Sequence, residues 1–119
     1  MPRLAMTALL IALSSGAALA METYSSWPVL PSRFPSTGGD GTIIDGYNPT
    51  IVGNRCVTSF TALTPDGGRY HNYVEFEASE AEGGTLCSNG RWRSIEGDAR
   101  GTTPLRVFIK DGVIRGSAQ

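Results

Sequence analysis

Histidine occurs once in this chain, at position 71, and cysteine only twice, at positions 56 and 87. A zinc or iron centre draws several nitrogen and sulfur ligands from short spacings. Here there is no Cys-x-x-Cys, and His71 is not at ligand spacing from either cysteine. Neither a metal site nor a redox-active dithiol is expected. Charge of one sign is also lacking: 10 Lys and Arg stand against 11 Asp and Glu, a net charge of −1. Such a balance gives no electrostatic drive toward nucleic acid. Beyond residue 20 no apolar run approaches the roughly 20 residues of a spanning helix, and no 3.6-residue period is visible. There is no G-x-S-x-G nucleophile elbow and no calcium loop. Gly38-Gly39-Asp40-Gly41 lacks the lysine and the helix of a phosphate loop. No motif for haem, flavin or nicotinamide is present, so no cofactor is expected.

What is present first is an address. Met1-Pro2-Arg3 is a short basic start, Leu4 to Leu13 is apolar except for Thr7, and Ala18-Leu19-Ala20 is a small-x-small cleavage site. This is the order of a secretory signal peptide, too short to be an anchor. The reading is a signal over residues 1–20, cleavage near Ala20, and a mature chain from Met21 in the periplasm or the extracellular medium. In that compartment Cys56 and Cys87 read as one structural disulfide. Closing a loop of roughly 30 residues contributes about 3–4 kcal/mol in the chain-entropy view.

Residues 21–41 carry Pro28, Pro31 and Pro35 among serines and glycines, which predicts a flexible or extended arm. Trp27, Val29, Leu30 and Phe34 imply that parts of it dock on an apolar surface. A single β domain is expected over 42–117. Ile51 to Leu63 reads as one strand with Cys56, Thr58, Phe60 and Ala62 on one face. Thr64-Pro65-Asp66-Gly67-Gly68 is a turn. Arg69 to Ala78 alternates, with Tyr70, Asn72, Val74, Phe76 and Ala78 on the apolar side. Ser79 to Gly84 reads as a loop. Ser88-Asn89-Gly90 and Asp111-Gly112 are further hairpin signals, flanked by Thr85–Cys87, Arg91–Ile95, Pro104–Lys110 and Val113–Arg115. The expected fold is all-β: a small antiparallel sandwich, a meander or a partly open barrel with one disulfide, preceded by the signal peptide and the arm.

Two clusters carry possible chemistry. Arg91-Trp92-Arg93 places two guanidinium groups on one strand face and the indole on the other. With Tyr73 these residues form the candidate binding set, suited to an anionic or sugar-like ligand if Trp92 faces outward, whereas an inward Trp92 is a core anchor. His71 with Glu75 and Glu77 could supply a general base and paired carboxylates. Their more ordinary role is a solvated strand face.

Missing catalytic motifs and ample contact surface favour a non-enzymatic binding or accessory protein of the bacterial envelope, with an envelope protein or a polysaccharide as partner. The alternatives are a small hydrolase built on His71 and the acidic face, and a structural protein that self-associates through strand edges.

Overall fold

The computed structural model describes residues 23–119. The expected signal peptide lies outside them, as do Met21 and Glu22. A 3-10 turn, Tyr24–Ser26, precedes nine strands. These are β1 (Arg33–Pro35), β2 (Ile43–Asp45), β3 (Thr50–Val52), β4 (Arg55–Leu63), β5 (Arg69–Ala81), β6 (Gly84–Ser94), β7 (Arg100–Thr103), β8 (Arg106–Lys110) and β9 (Val113–Ala118). They form one antiparallel sheet in the order β9-β8-β6-β5-β4-β2-β1, with β3 also against β4 and β7 also against β6. Of the three expected forms, the sheet takes that of an open, curled half-barrel. No helix among the described residues is long and apolar enough to cross a membrane.

The three long central strands follow the alternation in the sequence. Cys56 and Thr58 on β4, and Asn72, Val74 and Phe76 on β5, are buried on the concave side. Arg55, Ser59, Arg69, His71 and Glu77 face water. The β4–β5 hairpin turns at Thr64–Gly68, as expected, and pairs Leu63 with Arg69 and Cys56 with Phe76.

Curvature is set at the disulfide. Cys56 on β4 and Cys87 on β6 flank β5, where their cross-strand neighbours are Phe76 and Ala78. Strands two apart in a flat sheet are separated by about 9.5 Å. The two bridged Cα atoms are 6.0 Å apart, so the sheet folds about β5 at this level. Both cysteines are fully buried there.

Three expectations need correction. Ser88-Asn89-Gly90 is not a hairpin turn, because β6 runs through it. Glu77 pairs with Ser88 and Glu75 with Arg91, so Asn89 and Gly90 together face Phe76 as a β-bulge. Asn89 has φ 54°, and Asn-Gly suits a bulge with one left-handed residue as well as it suits a turn. The actual β5–β6 turn is Glu82-Gly83, with φ 50° and 77°, inside the stretch read as an acidic loop. Ile51 to Leu63 is two strands, broken at Gly53-Asn54, where Gly53 has φ 62°. Within the segment expected as a flexible or extended arm, β1 pairs with β2, Arg33 opposite Asp45.

The rest of that segment is docked too. Val107, Phe108 and Ile109 are all buried. Adjacent strand residues point to opposite faces, so both sides of β8 are covered. Val107 and Ile109 join the concave core with Cys56, Cys87, Val74 and Phe76. Phe108, on the other face, meets Tyr24 at a ring separation of 5.6 Å. Trp27 lies against Gly116, and Arg106 stacks over its indole at 4.8 Å. The amide of Ser117 donates to the carbonyl of Pro28 at 2.9 Å.

Removing the crosslink by Cys56→Ala with Cys87→Ala lowers stability by about 3–4 kcal/mol, measured by urea denaturation. Gly90→Ala places a Cβ 2.7 Å from both Phe76 and Thr103. Its cost of about 1–3 kcal/mol is read the same way.

Candidate ligand cavity on the concave face

Below the level of the disulfide the concave side is filled. Toward the Thr64–Gly68 turn it opens, and strands β1, β2, β4, β5, β6 and β7 wall a cavity of about 430 Å³. That volume lies within the range of sites for small molecules. Its apolar lining comes from Phe34, Ile44, Phe60, Val74 and Trp92. Period-two alternation brings each to this face. Phe60 shares the face of Cys56 on β4, and Trp92 shares that of Gly90 on β6.

Local sequence fixes the rings. Trp92 is paired across the sheet with Gly101, and a Cβ at Gly101 would stand 2.9–3.0 Å from the indole. The absent side chain lets the indole lie on the β7 backbone. Phe34, Tyr47 and Phe60 form a continuous ring cluster, edge-to-face and then tilted, with centroid separations of 5.3 and 5.2 Å. Tyr47 is 5% exposed, and burial raises its pKa well above the ordinary tyrosine value.

Two further polar groups matter. Asn72 is 7% exposed; its Nδ2 donates to the Tyr70 carbonyl at 3.1 Å, and its Oδ1 has no partner among the described residues. At the rim, Asp40 Oδ1 accepts the Thr42 amide at 3.0 Å. That bond and one from the Thr42 side chain hold its carboxyl below the ordinary aspartate value.

The expected binding set divides between the two faces. Arg91 and Arg93 are exposed on the convex side. There Arg93 is opposite Tyr73, with its guanidinium 5.1 Å from the ring centroid, and Arg91 is opposite Glu75. Trp92 stands on the concave side, where it both packs against the core and lines the cavity. The structure therefore brings Tyr73 and Arg93 together and separates both from Trp92. Sequence reasoning did not single out Phe34, Tyr47, Phe60 or Asn72 as site residues. The signal available was that Phe60 and Asn72 share an apolar face; the curvature that makes this face a cavity was not visible.

The acidic face is also rearranged. Glu75 is engaged by Arg55, and the Glu77 carboxylate accepts from the Asn89 amide at 2.9 Å. His71 pairs instead with Glu96, which bonds its Nδ1 and also accepts its backbone N–H at 3.1 Å. The imidazole holds the Glu96 carboxyl below the usual glutamate value. This pair is about half exposed; by alternation His71 lies on the opposite face of β5 from Asn72. No cluster of three or more potential metal ligands occurs among the described residues. No protein family, curated protein or solved structure matches the chain.

A buried tyrosine with a raised pKa keeps its proton in the folded state at pH values where the unfolded chain has lost it. Its contribution to stability is complete below about pH 10 and declines as pH rises above that. Urea midpoints measured from neutral pH to about pH 11 should fall for the native protein. The fall should be shallower in Tyr47→Phe.

Proposed function

We propose that this chain is an exported, non-enzymatic binding protein of the bacterial envelope, and that it takes a small ligand in the concave cavity. The observation that carries this reading is the convergence of Phe34, Phe60 and Trp92 with the polar Asn72 around one open volume of about 430 Å³. An apolar site with a few placed polar groups is the usual form of a ligand pocket. The crosslink below it holds the walls in place before a ligand arrives, which reduces the ordering cost of binding. A disulfide also suits an oxidising compartment outside the cytoplasm.

A second hollow lies between the N-terminal segment and strands β3 and β9, lined by Leu30, Ile51 and Val113. It has no comparable group of rings. The hydrolase alternative combines His71 with the acidic face; Glu75 and Glu77 are engaged by Arg55 and Asn89, and the carboxylate that meets His71 is Glu96, on the convex side.

The test uses a neutral apolar dye, N-phenylnaphthylamine, whose emission rises in an apolar site. The oxidised protein should bind it, and Ala62→Phe, which fills the cavity from β4, should weaken binding at least about tenfold with little change in thermal midpoint. His71→Ala should leave binding unchanged. Equal binding by the native protein and Ala62→Phe, or no binding by either, would remove the cavity from the proposal.

A further inference from the structure

The chemistry around the cavity is one-sided. Among the described residues that line it, Asp40 is the sole Asp, Glu, Lys, Arg or His. The hydrogen bonds from Thr42 keep that carboxylate ionised. The two arginines nearest in sequence to Trp92 point to the convex face instead. An anionic ligand would therefore meet a negative rim and no compensating cation. The aromatic rings add to this, because a π-face is negative and attracts cations. The buried amide of Asn72 offers its Oδ1 as an acceptor without a partner among the described residues, while one of its two N–H groups is used by the Tyr70 carbonyl. Ammonium groups carry donors and no acceptor, which matches an acceptor-bearing lining.

We infer that the cavity is selective for small protonated amines with an apolar body, the body lying among Phe34, Phe60 and Trp92 and the ammonium group facing Asp40 and Asn72. This inference rests on the cavity being a binding site, and adds the charge and hydrogen-bonding class of its ligand. It departs from the expectation of an anionic or sugar-like ligand, which depended on Arg91 and Arg93 flanking an outward-facing Trp92.

Three solutes of similar body and different head group decide it: phenethylammonium, phenethyl alcohol and hydrocinnamate. Each is titrated against the protein carrying bound N-phenylnaphthylamine, with the Trp92 indole N–H followed by NMR. Phenethylammonium should displace the dye at a concentration at least about fivefold below that of the alcohol, and hydrocinnamate should be the weakest. Asp40→Asn keeps an oxygen for the Thr42 amide while removing the charge. It should bring the displacing concentrations of amine and alcohol together. In the native protein added salt should narrow the same gap, a check that needs no variant. Dye binding with equal displacement by all three solutes, or with hydrocinnamate strongest, would overturn the inference and leave the binding site standing. Failure of the dye and of all three solutes to perturb Trp92 would overturn both.

Discussion

The Cys56–Cys87 bridge joins the two strands that flank β5, and it is the constraint from which the shape of this protein follows. A sheet left to its ordinary twist would keep those strands a full two spacings apart. Drawing their Cα atoms to 6.0 Å makes β5 the spine of a trough. At the bridge the trough is pinched shut around Phe76, Val107 and Ile109. Away from it the same strands splay, and the space between them is the cavity. Packed core and open site are two ends of one curvature.

The bulge at Asn89-Gly90 works with the bridge. An extra residue on one strand sharpens local twist and bends the strand. Here it sits opposite Phe76, two positions from the partner of Cys87. Gly90 leaves room for the Phe76 ring where the bend brings the strands together. Past the bulge β6 exchanges its neighbour β8 for β7. On the other flank β4 does the same with β3 and β2. Broken outer strands let the wall of the trough change direction without tearing the central ladder.

What could be read from the residues was local. Strict alternation in Arg69–Ala78 identified the faces of β5, and Pro65-Asp66-Gly67-Gly68 and Asp111-Gly112 marked real turns. The pairing of two cysteines needed no geometry at all. Long-range features were hidden for specific reasons. Glu82 gives no sign that it will adopt a positive φ, so its turn read as a loop. Asn89-Gly90 gives a strong sign that two different structures satisfy. Phe34 and Tyr47 belong to short pieces whose roles depend on a sheet they join from far away in sequence. The inward placement of Trp92 between two outward arginines followed from alternation. That its inward side borders a cavity rather than solid core did not.

The docking of the Tyr24–Trp27 turn bears on how the chain reaches this state. Its supports are Phe108, Gly116 and the Ser117 amide, and the bond from Ser117 to Pro28 spans most of the described chain. A contact of that separation carries a large loop-closure cost and forms slowly unless intervening structure is already in place. Apart from the Tyr24 amide, which donates to the Glu82 carboxylate at the β5–β6 turn, these supports of the first described residues form only once β8 and β9 have joined the sheet. Until then the outer side of Phe108 stays uncovered. This closure is therefore a late event in folding, after the long central strands are in place.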